Sequence, residues 1–97
     1  MADRYLAQHP RAAWRVYDGE AVIISPDDST LHTLNAVGTL VWEAADGKTP
    51  VAAVVGRICE EFEVEPERAE RDATAFIETL CRRGLLVASD APHEGLE

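Results

Sequence analysis

The side chains that could do chemistry are thinly spread along this chain. His9, His32 and His93 lie far apart, the first and last of them close to the ends. Only His32 falls in a regular element, and no neighbour in the sequence offers the positioned partner that a general base requires. Cys59 and Cys81 belong to no C-x-x-C pair and have no histidine at zinc-site spacing. They read as two reduced, partly buried thiols that behave as small hydrophobes. Glu60, Glu61, Glu63, Glu65 and Glu67 crowd one short stretch. That cluster reads as a solvated acidic turn, whose last members also suit the dipole of the helix that follows. Its functional alternative is docking to a basic surface on a partner. No glycine-rich phosphate loop follows a strand, and neither G-x-S-x-G nor H-E-x-x-H occurs. The expectation is a protein that is not an enzyme and uses no metal or cofactor.

Composition narrows the class further. The 97 residues suffice for one domain with one core. With 46% hydrophobic and 28% charged residues, the chain has the make-up of an ordinary soluble globular protein. No apolar run approaches the ~20 residues of a membrane span, and no apolar stretch of a secretory signal follows Met1-Ala2-Asp3-Arg4-Tyr5. A cytoplasmic protein without membrane contact is expected. Acidic residues outnumber basic ones by 18 to 9, for a net charge of −9. A nucleic-acid binder must neutralise phosphates with clustered Lys and Arg, so this balance argues against DNA or RNA as partner.

The elements that position these residues follow from local patterns. Residues 1–12 show no clear period and read as a flexible lead-in; residues 89–97 read as a flexible tail; one domain fills 13–88. Asp18-Gly19 lies between two apolar runs, 14–17 and 20–25, the signature of a hairpin with a type I′ turn. Pro26-Asp27-Asp28-Ser29 marks a second turn. Thr30, Leu31, His32, Thr33 and Leu34 then form a short, half-polar third strand, whose composition suits a sheet edge. Asn35 caps a first helix that runs to about residue 45, apolar almost all round and therefore central, stopped by Asp46-Gly47. The Thr49 hydroxyl, followed by Pro50, is expected to cap the second helix. Val51, Val54, Val55, Ile58 and Phe62 give that helix one apolar stripe. The third helix begins at Pro66; Ala69, Ala73, Phe76, Ile77, Leu80 and Gly84 fall within about 60° of one line and form its core stripe, with Asp72, Phe76, Thr79 and Arg83 along one flank. Gly84 ends it, and residues 85–87 pack back or add a strand. The fold class is α+β: a small winged-helix-like domain, with a three-stranded antiparallel sheet followed by three helices.

In this order several strings look familiar: Leu34-Asn35, Gly38-Thr39-Leu40-Val41-Trp42, Asp46-Gly47-Lys48-Thr49, Glu61-Phe62-Glu63-Val64, Asp72-Ala73 with Phe76-Ile77, and Leu80 through Arg83-Gly84-Leu85-Leu86. Over roughly residues 14–87 the chain resembles the PqqD-like family, the RiPP recognition elements. The resemblance implies non-catalytic binding of the leader segment of a ribosomally made precursor peptide. It also implies presentation of that peptide to a modifying enzyme, often a radical S-adenosylmethionine enzyme. The leader is expected as an added strand on Thr30, Leu31, His32, Thr33 and Leu34, against a flank of the third helix that carries Asp72, Phe76, Thr79 and Arg83. Such a mode fits an edge strand, whose free N–H and C=O groups an extended peptide can satisfy. Asn35 departs from the Asp usual in members of the quinone pathway itself, and with Trp42 it resembles members that serve other peptide pathways.

Two other readings use the same fold. One is a winged-helix DNA-binding domain. Its recognition helix would carry Arg68, Arg71, Arg82 and Arg83 against Glu65, Glu67, Glu70, Asp72 and Glu78, a poor surface for phosphates. The other is a generic protein-interaction module. An open strand edge also allows pairing with a second copy of the chain.

Overall fold

The computed structural model describes residues 4–89. The expected three-stranded sheet comprises β2 (Ala13–Tyr17), β3 (Glu20–Ile24) and β4 (Leu31–Thr33), in the order β2-β3-β4 and antiparallel throughout. Asp18 and Gly19 both take positive φ, 52° and 79°, the type I′ geometry that the Asp-Gly pair predicts. The three expected helices follow: α1 (Ala36–Glu43), α2 (Val51–Phe62) and α3 (Pro66–Arg82).

A second antiparallel sheet is absent from the sequence reading. It comprises β1 (Tyr5–Gln8), β5 (Asp46–Pro50) and β6 (Leu86–Ser89), in the order β5-β1-β6. Residues 5–8 of the flexible lead-in expected over residues 1–12 are thereby a strand. Leu6 and Ala7 are fully buried, and β1 forms the centre of this sheet. Ser89, read as the start of the tail, pairs with Tyr5; the remainder of that tail and residues 1–3 lie outside the described residues.

The start of α2 also differs from expectation. Its N-cap is Pro50, without a side-chain cap. The Thr49 hydroxyl lies 3.1 Å from Asp46 Oδ2, and Asp46 Oδ1 accepts from the N–H groups of Lys48 and Thr49, each at 2.8 Å. These hydrogen bonds, that from Lys48 foremost, hold the Asp46 carboxyl below its ordinary pKa. A local Asx-type turn thus takes the hydroxyl that would have capped the helix.

The core lies between the helices and the inner face of β2-β3-β4. Ile23, Val41, Trp42, Val54, Ile58, Ala73, Ile77, Leu80 and Leu85 are buried in it, while Val55 and Phe62 pack half-buried at its margin. α1 contacts β3, α2 and α3, the central place its apolar surface predicts. Trp42 is completely buried and meets Trp14 edge-on, with ring centroids 6.0 Å apart.

Thr39, one of two polar side chains in α1, joins this helix to the sheet. Its buried hydroxyl accepts from Ala21 N–H at 2.7 Å and donates to the Leu34 carbonyl at 3.4 Å. The hydroxyl is inserted into the rung where the Leu34 N–H bonds the Ala21 carbonyl at 2.8 Å. It therefore sets where β4 ends and α1 begins. Thr39→Val keeps the shape and strands the Ala21 N–H, at an expected cost of about 1–3 kcal/mol. The check is a lower urea midpoint with unchanged m.

Candidate peptide-binding cleft

β4 is an edge strand, and its register determines which backbone groups are free. Ser25 N–H bonds the Thr30 carbonyl and Leu34 N–H bonds the Ala21 carbonyl, with Ile23 opposite His32 between them. In an antiparallel ladder alternate residues turn both N–H and C=O to the same neighbour. Residues 30, 32 and 34 therefore face β3, and Leu31 and Thr33 direct their N–H and C=O groups to the open edge.

Beside this edge lies a cleft of about 410 Å³, walled by β4 on one side and α3 on the other. Leu31, His32, Thr33, Leu34, Phe76, Thr79 and Arg83 line it, together with Ala75 and Leu80. Two expected residues do not. The Thr30 N–H bonds Asp28 Oδ1 within the β3–β4 turn. Asp72 forms a 3.9 Å ion pair with Arg68 one turn back along the helix. Helical winding put Asp72 on the right flank, but it lies one turn before Phe76 and is not among the residues that line the cleft. Ala75 was legible by the same winding, one turn before Thr79; Leu80 joins core and cleft.

Phe76 owes its place to Gly38. A Cβ at Gly38 would come within 2.6 Å of the Phe76 ring, so only glycine lets α3 seat this ring against α1. Gly38→Ala is expected to displace the half-buried ring toward the cleft. The fold should survive an overpacking cost of about 1–3 kcal/mol. Shifted Phe76 ring resonances would be its signature.

Arg83 closes the cleft's far end. The chain leaves α3 through a Schellman motif: Leu85 N–H bonds the Leu80 carbonyl at 2.9 Å, Gly84 N–H bonds the Cys81 carbonyl at 3.0 Å, and Gly84 takes φ 74°. From that helix end Arg83 Nη1 donates to His32 Nδ1 at 2.8 Å. A guanidinium only donates, so the imidazole nitrogen is the acceptor. The cleft thus has an apolar floor, a hydroxyl at Thr79, an exposed cation and an unpaired strand edge. These parts suit the holding of an extended chain.

No cysteine lines the cleft. Cys81 lies outside it, and burial pushes its thiol pKa up, which disfavours the reactive thiolate. Both cysteines are free, and the described residues contain no His, Cys, Asp and Glu cluster able to hold a metal ion. No described helix is long and apolar enough to cross a membrane.

Residues 20–86, more than half of the chain, match the family model of coenzyme PQQ synthesis protein D, PqqD. The chain belongs to the PqqD family. Two solved structures share its fold. TbiB1 in complex with the TbiA(beta) leader peptide is 26% identical, with a TM-score of 0.75 over 82% of this chain and 93% of that one. Lasso peptide synthetase B1 complexed with the leader peptide is 25% identical, with a TM-score of 0.72 over 84% of this chain and 96% of that one. No curated protein matches the chain. The PqqD match begins at Glu20, after β1 and β2, and ends at Leu86, just inside β6. It spans both walls of the cleft.

Proposed function

We propose that this PqqD-family domain binds the leader segment of a ribosomally synthesised precursor peptide and presents it, without catalysis of its own, to a separate modifying enzyme. The observation that carries this reading is the open edge of β4, with the free backbone groups of Leu31 and Thr33 beside the cleft. An extended peptide added there satisfies those groups, and its side chains enter the cleft toward Phe76 and Thr79. The two similar solved structures hold leader peptides, which supports the same ligand class here. A radical S-adenosylmethionine enzyme is the partner that the family resemblance suggests, in the cytoplasm, where such precursors are made. The DNA-binding reading gains nothing from the cleft, which offers one guanidinium, already bonded to His32.

The test is a calorimetric titration of the purified protein with the synthetic N-terminal segment of a short precursor encoded beside its gene. Saturable one-to-one binding is expected, and no binding contradicts the proposal. If that segment carries a carboxylate near Arg83, Arg83→Glu is expected to weaken binding and to flatten its salt dependence, because one favourable charge contact is lost.

A further inference from the structure

Every large hydrophobic residue exposed among those described, Trp14, Val16, Tyr17, Ile24 and Leu31, lies on the single sheet β2-β3-β4. Ile24 and Leu31, 43% and 61% exposed, stand opposite each other, and Ile24 alternates with the buried Ile23, which places both on the outer face; Leu31, at the open edge, also borders the cleft. The register makes them one row: Ala13 stands opposite Ile24, and Ile24 opposite Leu31. This apolar row runs straight to the open edge and stops at Leu31, whose own N–H and C=O point beyond it.

We propose that the bound peptide is read on both faces of the sheet, with Leu31 selecting an apolar side chain on the outer face. This inference rests on strand addition at β4. In an added strand, successive side chains alternate between the two faces. The peptide residue opposite His32 enters the cleft toward Phe76. Its sequence neighbour, opposite Leu31, lands on the outer face within about 4.5–5.5 Å, Cβ to Cβ, of the Leu31 side chain. It extends the row Ala13–Ile24–Leu31 by one more apolar group and covers surface that otherwise faces water. The ligand is therefore a peptide with two apolar residues adjacent in sequence, one for each face. A ligand read by the cleft alone would show apolar residues at every second position, with the intervening positions free.

A displayed library of random twelve-residue peptides, selected on the intact protein, tests this. The expected result is an adjacent apolar pair in the enriched sequences. Selection on Leu31→Lys should replace one member of the pair with Asp or Glu and leave the other apolar. Leu31 is exposed, so the variant should keep the fold. Binders that are lost on Thr33→Pro but leave alternate positions unselected overturn the two-faced reading and leave strand addition standing. An unchanged peptide pattern with Leu31→Lys, accompanied by a change of oligomeric state, assigns the outer face to a second copy and also overturns it. A library that yields no binder, or binders indifferent to Thr33→Pro, overturns strand addition and this inference together.

Discussion

Thr33→Pro is expected to reduce leader binding at least about tenfold, equivalent to ~1.4 kcal/mol, while the protein stays folded. Thr33 directs its N–H to the open edge, so the substitution removes no bond of the β3–β4 ladder. Proline is tolerated on edge strands in that orientation. For an incoming strand the same change removes a donor worth about 0.5–1.5 kcal/mol net and places the pyrrolidine ring in the path of the peptide backbone. His32→Pro is the instructive contrast. The His32 N–H faces β3, so this variant should loosen β4 in the free protein. Thermal unfolding of the two variants beside their peptide titrations separates a lost docking edge from a lost strand.

Ile77→Ala is expected to cost roughly 2–5 kcal/mol of stability. Ile77 is 3% exposed on the core stripe of α3, together with Ala69, Ala73 and Leu80. Its truncation deletes buried methyl and methylene groups and leaves a cavity that two small alanines cannot collapse to fill. Such a loss is a large share of the 5–15 kcal/mol that holds a small domain together. Phe76 and Arg83 are carried by the same helix, so the cleft should loosen with it. Urea unfolding measures the stability. At temperatures where the variant remains folded, peptide binding should fall far less than with Thr33→Pro, because the open edge of β4 is untouched.

The elements legible in the sequence were those that carry their own local signal. Asp18-Gly19 declares its turn through its need for positive φ, Asn35 accepts from Gly38 N–H as a helix cap should, and the period of Ala69, Ala73, Ile77 and Leu80 reveals the buried side of α3. The second sheet carries no such signal. β5 reads Asp-Gly-Lys-Thr-Pro, residues that strands mostly avoid. It is extended because β1 pairs with it across a long sequence separation, and β1 itself is too short to show alternation. The cleft was legible in the same uneven way. Its chemistry lay in the half-polar strand and in the flank of α3, but its length did not. Only the close approach of Gly38 to Phe76 explains how the floor is set.

Strand addition at β4 is tested most directly by amide hydrogen exchange of the isotope-labelled protein, free and with the precursor's N-terminal segment. In the free protein the His32 and Leu34 amides, bonded toward β3, should exchange more slowly than those of Leu31 and Thr33. Saturation with peptide is predicted to protect Leu31 and Thr33, erasing that alternation, and to shift the resonances of Phe76, Thr79 and Arg83. Peptide binding that leaves Leu31 and Thr33 exchanging as before, with shifts confined to the α1–α2 side around Leu40, Arg57 and Glu61, would contradict the account.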